Sequence, residues 1–474
     1  MGLDPSLLDQ TFEPASFQDW QKAALKAAKI GAMEALHSAV EGLPVRPLES
    51  RASCSHPIAM NRPSWLGFQR VDDPDVARAS AQAIIDADCG ADGLALVFEG
   101  ANNAFGRGLP ANKDALFQVL KGIDLERTAL RIDAHPSIRK SAEWLVDFIR
   151  EKKPNPRKLR LATGIDTASI FASSGRLAMS FEALKASLPQ SLTGFFASGL
   201  PGVLLEADAR PVHNSGGTAA QELGFALSVA VSHLRMAEEA RQPAGNIAPS
   251  IGFALCADQD FALTIAKCRA LRLLWSRVHE ACGGSLKQPV KIHAETARRM
   301  LASRDPETNI LRNTIALAAA AFGGADSISV LPHTIANGLP DSTARRISRM
   351  QHLVARDESH LGRVMDVAAG SGSLEALTDA LCEAAWLEFQ LIESEGGPLA
   401  SLYSGTFQSR VSVARATREA EMRSAHIIGV NAFMAKDERF VTVLDHPPVA
   451  TEFPSKVFCA GLPHWSVDNL GDTP

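Results

Sequence analysis

The chain has 474 residues, of which 46% are hydrophobic and 21% charged, and its formal net charge is −5. This length can bury a large core in one to three domains, and the composition is typical of a globular protein. The mildly acidic balance argues against a nucleic-acid partner or an anionic membrane surface, and no apolar run approaches the roughly 18 residues that span a bilayer.

Cysteine usage and the first residues indicate a reducing compartment. The seven cysteines are odd in number and none forms a C-x-x-C pair, so the pattern favours neither a disulfide framework nor a zinc ribbon. The N-terminal run MGLDPSLLDQTFEPASF has neither the basic nor the apolar region of an export signal. We therefore expect a cytoplasmic protein.

Residues 1–50 are predicted to form a helical arm. The run from Phe17 to Val40 is rich in Ala, Lys, Leu and Met with apolar positions at helical spacing, and Leu43-Pro44-Val45 then breaks the pattern. An amphipathic arm of this kind packs either on its own domain or on a partner subunit.

Short apolar runs alternate with longer helical stretches from about residue 66, which predicts a parallel sheet. The strand candidates are Leu94–Phe98, Ala129–Asp133, Leu159–Ala162, Val203–Glu206, Ser250–Leu255, Val290–His293 and Ser327–Leu331. The helix candidates include Pro74–Asp88, Lys140–Glu151, Thr218–Ala240, Asp258–Ala281, Pro306–Ala321, Asp341–Asp357 and Leu374–Ser394. Seven such units predict a (β/α)₈ TIM barrel of the α/β class over residues 51–373; the pattern leaves the eighth strand unplaced and residues 165–195 ambiguous.

Residues 374–474 are predicted to form C-terminal helices and an extended tail. A helix is expected at Arg410–Ser424 and a strand-like run at His426–Val430. The segment from Asp445 to Pro474 holds five prolines and few apolar runs, so we expect it to wrap a surface.

Several motifs in order along the chain resemble the substrate-binding barrel of the adenosylcobalamin-dependent acyl-CoA mutases, best known from methylmalonyl-CoA mutase. The longest runs from His293 to Gly372 and includes HAETARRM and DSTARRISRMQHLVARDESHLGRV. Further anchors are Arg62-Pro63 with Trp65, Gln69-Arg70-Val71-Asp72, the run from Gly93 to Gly100, Gln221-Glu222-Leu223-Gly224 and Leu271–Trp275. The resemblance covers residues 60 to 445 and implies the same barrel.

The chain departs from the catalytic members of that family in its tyrosines. Those members carry a Y-P-x-x-Y segment before the Arg-Pro anchor, whereas this chain reads Ser55-His56-Pro57-Ile58-Ala59-Met60. The only tyrosine, Tyr403, lies beyond the predicted barrel, and nothing in the sequence resembles a Rossmann-like cobalamin-binding domain.

Three residues mark the places where catalytic members bear functional side chains. A G-Y-H-x-Q-E-A-G loop is replaced here by one in which Pro211 stands opposite the catalytic histidine and His213 is displaced by two positions. The H-x-Q-T-S-G-W pattern keeps His293 but has Glu295 at the glutamine. We interpret His213, His293 and Glu295 as vestigial, because small displacements disrupt catalytic geometry. We assign no catalytic and no cofactor-binding residue.

No metal site is predicted either. Asp133-Ala134-His135 is similar to the D-x-H-x-x-G loop that ligates cobalt in this class, but the sixth position is Ile138 and not glycine. We interpret the pair as a strand-end aspartate and a loop histidine.

The strand side chains predict a barrel that does not admit CoA. Leu94, Leu96 and Phe98 alternate with Ala95 and Val97, so either inward face is apolar and would fill the interior. The resemblance implies that catalytic barrels instead have small polar linings through which the CoA chain threads.

The resemblance therefore implies a small, non-catalytic subunit of a heterodimeric mutase that interconverts methylmalonyl-CoA and succinyl-CoA in propionate metabolism. It implies a large (alpha) subunit as partner, with adenosylcobalamin on that subunit and none on this chain, and a GTPase chaperone reached through the complex. No nucleic acid or membrane is expected as a partner. Two alternatives remain open: a catalytic barrel subunit that uses a separate cobalamin-binding protein, and a stand-alone acyl-CoA-binding barrel.

Overall fold

A computed structural model describes residues 15–50, 52, 58–61, 64–180, 182–184, 186–187, 197, 199–282, 289–437, 439–448 and 455–470. The Arg62-Pro63 anchor, the segment 55–57, Cys54 and the last four residues of the tail lie outside these ranges.

Within the described residues 15–50, the arm is an α-helix only over Phe17–Ala28, which corrects the prediction of a helical run from Phe17 to Val40. Helix α1 (Phe17–Ala28) begins with a capping box between Ser16 and Asp19 and has no buried side chain. The chain then forms an antiparallel hairpin of β1 (Ser38–Val40) and β2 (Leu43–Val45). The turn Glu41-Gly42 has positive φ angles of 50° and 81°, which is the type I′ geometry that joins two strands, so the helix could not continue.

Eight parallel strands close into a barrel in the order β10-β11-β3-β4-β5-β6-β8-β9, which confirms the predicted (β/α)₈ architecture. The barrel strands are β3 (Leu66–Val71), β4 (Gly93–Leu96), β5 (Ala129–Ile132), β6 (Leu161–Ile165), β8 (Val203–Asp208), β9 (Ile251–Ala257), β10 (Lys291–Thr296) and β11 (Ser327–Ser329). The strand that the sequence pattern did not place is β3, which closes the barrel between β11 and β4. Outside the barrel lie the short strands β7 (Arg176–Leu177), β12 (Leu339–Pro340), β13 (Val443–Leu444) and β14 (Lys456–Val457).

Helices surround the strands and cover their outward faces. They are α2 (Val76–Asp88), α3 (Lys113–Leu120), α4 (Ile138–Lys152), α5 (Thr167–Ser174), α6 (Arg210–Asn214), α7 (Ala219–Glu239), α8 (Ala244–Ile247), α9 (Phe261–Ala281), α10 (Thr308–Phe322), α11 (Ser342–Leu353), α12 (Gly372–Ser394), α13 (Pro398–Ser404) and α14 (Thr406–Ser424). The long helix α12 packs on α7 and α9 and extends the core beyond the barrel. None of the helices in the described ranges combines the length and apolar character that crossing a bilayer requires.

The barrel interior is not the apolar filling that the sequence predicts. Leu94 and Leu96 of β4, and Phe98 just after it, join the core between strands and helices, whereas Ala95 packs inward with Phe68. Alternation along a strand defines two faces, but closure of the barrel decides which of them points inward. The inward face of β4 is apolar as predicted, but its residues are too small to fill the interior, and charged side chains of other strands occupy the space that they leave.

The C-terminal tail crosses the end of the barrel at which the strands terminate. β14 of the tail pairs with β7, which follows β6. The Trp465 amide donates at 2.9 Å to the carbonyl of Asn214, which follows β8. The amide of Ser303, which follows β10, donates to Asp468. Trp465 and Val467 are buried in a small cluster with Val430. The tail thus wraps a surface as predicted, whereas the predicted strand at His426–Val430 was wrong because the chain turns there.

Candidate functional site

The carboxyl ends of the barrel strands form the face at which TIM barrels usually bind ligands. In this chain that region of the interior is occupied by ion pairs. Its buried charged side chains are Arg70, Asp72, Arg131, Asp133, Glu206, Asp208, Arg210, Glu295 and Arg345. Because isolated charges are costly to bury, each must find a partner inside the barrel.

Arg131 of β5 is the centre of one group of ion pairs. Its two terminal nitrogens each donate to a carboxylate oxygen of Glu206 at 2.6 Å, and its Nε donates to Asp133 at 2.6 Å. Although burial opposes ionisation, the nearby Arg210 and Arg131 hold the pKa of Asp133 well below its ordinary value. The bidentate geometry fixes the guanidinium plane and is the strongest form of such a pair.

Glu295 of β10 is buried inside the barrel among cations. One of its oxygens lies 3.3 Å from Arg210 and 3.9 Å from Arg70, and it accepts a hydrogen bond from Asn103 at 2.7 Å. Burial raises the pKa of Glu295 in spite of the two guanidinium groups. The side chain therefore serves as a counter-ion for two arginines, and Asn103 limits its movement.

His293 lies on the same strand, two residues before Glu295, and also faces the interior. Its Nδ1 is 2.9 Å from the Ser327 hydroxyl, and its ring meets Phe68 edge to face. Burial, and then the charges of Arg131 and Arg210, lower the pKa of His293 well below its ordinary value. The ring is therefore neutral at physiological pH, and its Nε2 has no partner among the described residues.

His213 lies on α6 in a different set of charges. Its Nδ1 is 3.0 Å from Glu222 and its Nε2 is 2.9 Å from Asp258, so each ring nitrogen contacts a carboxylate oxygen. Lys267 and Arg299 complete the group, each paired with one of these carboxylates at 2.6 and 2.7 Å. Burial, with Arg299 and Lys267 nearby, lowers the pKa of His213. No ring nitrogen is left free to act on a substrate.

Asp133 and His135 do not act together as a ligand pair. Asp133 is held by arginines, whereas His135 is fully buried and stacks on Phe98 with ring centroids 4.9 Å apart. Within the described ranges, no three His, Cys, Asp or Glu side chains form a set that could hold a metal ion. The interpretation of a strand-end aspartate and a loop histidine agrees with this placement.

His213, His293 and Glu295 were identified from sequence motifs, whereas the arginines that surround them were not. The structure brings His293 and Glu295 together on β10 and gives His213 separate partners. A signal was present, since Arg131 is the one charge in β5 and β8 carries Glu206 and Asp208 after an apolar run. Such charges in a strand buried on both faces predict an internal ion pair.

Sequence comparisons relate this chain to one family of known proteins. A family model described as methylmalonyl-CoA mutase matches residues 108–453. The chain is 32% identical over 455 residues to the methylmalonyl-CoA mutase small subunit of Streptomyces virginiae, covering 90% of this chain and 72% of that protein. It is 35% identical over 290 residues to the small subunit from Propionibacterium freudenreichii subsp. shermanii, covering 60% and 44%. The protein named methylmalonyl-CoA mutase in Escherichia coli K12 is 28% identical over 244 residues, covering 50% and 34%.

Proposed function

Because the chain belongs to the methylmalonyl-CoA mutase family, whose members are isomerases, we propose that it is the non-catalytic small subunit of a two-subunit mutase. A large (alpha) subunit would carry adenosylcobalamin and interconvert methylmalonyl-CoA and succinyl-CoA. This chain would stabilise that subunit and make or break no bond itself.

The observation that carries the proposal is the occupation of the barrel axis by charged side chains. A catalytic barrel must hold an acyl-CoA in a dry interior above the cofactor. Here Arg131 spans the interior to Glu206, and Arg210 links Asp208, Asp133 and Glu295. An acyl chain could enter only by separating buried ion pairs, each of which is costly to break.

The candidate catalytic side chains support the same conclusion. Both nitrogens of His213 contact carboxylates, and Glu295 is the counter-ion of Arg210 and Arg70. Tyr403 lies on α13, is 54% exposed and has its ring beside Phe458 of the tail. His213 and Glu295 are therefore engaged in holding the fold, and Tyr403 lies on the surface, so we infer that none of the three takes part in radical chemistry.

The small-subunit names of the relatives support a large subunit as the partner. We propose that any GTPase chaperone acts through the complex and not on this chain directly. We propose a cytoplasmic location, which the six described cysteines support because all of them are free thiols. A role in propionate metabolism rests on the proposed mutase activity alone.

Co-expression with a mutase large subunit tests the proposal. We expect a stable complex by light scattering, with mutase turnover only in fractions that contain the large subunit. Turnover by this chain with only a small cobalamin-binding protein added would overturn the proposal in favour of a catalytic barrel. Saturable binding of CoA to the isolated chain, without a complex, would instead indicate a stand-alone acyl-CoA-binding barrel.

A further inference from the structure

The tip of the N-terminal hairpin places a carboxylate against the barrel. Glu41 and Gly42 form the two-residue turn between Val40 and Leu43, and Glu41 has a φ of 50°. A non-glycine residue in this region of backbone space is uncommon. Its side chain is only 8% exposed, so the carboxylate points into the protein and not into solvent as hairpin tips usually do.

Three cationic or partly positive groups surround that carboxylate. One oxygen accepts a hydrogen bond at 2.6 Å from the amide of Ala219, the first residue of the 21-residue helix α7. The other oxygen accepts from Arg418 of α14 and lies 3.8 Å from the Arg299 guanidinium. A helix N-terminus carries partial positive charge and free N–H groups, so it favours an anion at this position.

This cradle lies at the carboxyl end of the barrel strands. Helix α7 follows β8 at the carboxyl end of the strands, the face on which TIM barrels commonly bind phosphate at a helix N-terminus. Arg299 follows β10 at the same end, so the donors come from three separate elements that converge on one carboxylate. This convergence distinguishes the cradle from an ordinary helix cap.

We propose that the N-terminus of α7, Arg299 and Arg418 form an oxyanion site for a carboxylate or phosphate group, which Glu41 of the same chain occupies as a built-in ligand. The hairpin and an external oxyanion then compete for the same donors. The site fixes residues 38–45 on the barrel while Glu41 is bound, and it becomes available when the hairpin is displaced. This inference does not depend on the proposed role as a subunit.

The charges around Arg418 support the assignment. Arg299 also pairs with Asp258, whereas Glu41 is the carboxylate within ion-pair distance of Arg418 among the described residues. The Nε of Arg418 is buried without a partner, and burial lowers the pKa of Arg418 to about 10. Removing the Glu41 carboxylate therefore takes away the anion at ion-pair distance from Arg418 and at the N-terminus of α7, and leaves Arg418 with only the more distant charge of Glu421.

Chemical rescue of Glu41→Ala in the full-length chain tests the proposal, with inorganic phosphate as the probe. We expect the variant to be less stable than wild type in chloride and to show a saturable rise of Tm by a few degrees in phosphate at matched ionic strength. Wild type, whose site is filled, should show no such rise. Acetate in a parallel titration distinguishes a carboxylate preference from a phosphate preference.

Two further variants define the outcome. Glu34→Ala removes an exposed acid of the same segment and should respond to phosphate as wild type does. Glu41→Gln keeps the size of the side chain without its charge and should also be stabilised by phosphate. It replaces Glu41→Ala in the test if that variant does not fold. The proposal is overturned if phosphate stabilises neither Glu41 variant more than Glu34→Ala, or if Glu41→Ala is as stable as wild type in chloride.

Discussion

Arg131 and Glu206 form a bidentate ion pair inside the barrel, with both N–H···O distances at 2.6 Å. Arg131 lies on β5 and Glu206 on β8, so the pair spans the intervening strand β6. Ala162 of β6 pairs laterally with Arg131 and has a side chain small enough to leave the guanidinium room. The contact therefore depends on a small residue in one strand as much as on the charges in its neighbours.

Removing one partner of this pair should be strongly destabilising. Arg131→Met leaves Glu206 buried without its guanidinium, and we expect a loss of about 3–5 kcal/mol in the free energy of unfolding, measured by denaturant titration. Arg131→Met with Glu206→Met should be more stable than the single variant, because the apolar pair leaves no unmatched charge. If the double variant lost as much free energy of unfolding as the two single variants together, the prediction that the two charges depend on each other would be wrong.

The exposed pair of Lys113 and Asp147 provides the matched control. Its N···O distance of 2.7 Å is similar, but the two side chains are 48% and 46% exposed. Lys113→Met should therefore cost no more than about 1 kcal/mol.

His135 should make the stability of the protein depend on pH. Its ring is fully buried beside Phe98, and burial lowers the pKa of His135 to about 3. The unfolded chain takes up a proton below about pH 6.5, whereas the folded chain does not until about pH 3, so stability is lost as the pH falls between these values. Burial also lowers the pKa of His233 to about 4, so this histidine adds a loss of the same sign.

We therefore expect His135→Leu to reduce the loss of stability between pH 7.5 and pH 5. The free energy of unfolding at the two pH values, compared with wild type, measures the effect. His37→Leu, which changes an exposed histidine, is the control. Equal slopes for wild type and His135→Leu would show that the ring is protonated in the folded protein.

The barrel could be predicted from sequence because its strands are short apolar runs bounded by Gly, Pro or Asp and separated by helices. The closing strand β3 escaped prediction, since the run Leu66–Val71 contains Gln69 and Arg70, both of which are buried only after closure. The hairpin escaped for a similar reason: the preceding run has helical spacing, and the Glu41-Gly42 turn is stabilised by contacts with residues almost 180 positions away.

The sequence predicted which histidines belong to the candidate site, but not which side chains surround them. The positions of His213 and His293 follow from motif spacing, yet their partners Asp258 and Ser327 lie 45 and 34 residues further along the chain. Long-range pairing of this kind depends on the register of neighbouring strands and on helix placement. Local sequence does not specify which buried groups will pair, so the partners became visible only in the assembled barrel.

Trp465 should fix the tail on the barrel. The side chain is 3% exposed and packs with Val430 and Val467, so Trp465→Ala should cost about 3–5 kcal/mol if tail and barrel unfold together. Hydrogen exchange should become faster in residues 455–470, including the amide of residue 465 itself, which donates to the Asn214 carbonyl. Phe440→Ala is the control, because that ring is fully exposed. Unchanged exchange in Trp465→Ala would mean that backbone pairing alone holds the tail.

Two N-terminal deletions should separate assembly from folding. Deleting residues 1–30 removes α1, in which no side chain is buried and Phe17 is 52% exposed, so Tm of the chain should stay the same. In the full-length chain, the apolar face of α1 is available to a partner. We therefore expect the deletion to lower the yield of complex with the large subunit, measured by light scattering.

Deleting residues 1–45 also removes the hairpin and should lower Tm, because Leu43 is buried and Glu41 contacts Ala219, Arg299 and Arg418. The difference in Tm between the two deletions isolates the hairpin, and the difference in complex yield between wild type and the shorter deletion isolates α1. An unchanged yield after removal of residues 1–30 would mean that α1 does not contact the partner, and assembly would then depend on surfaces of the barrel itself.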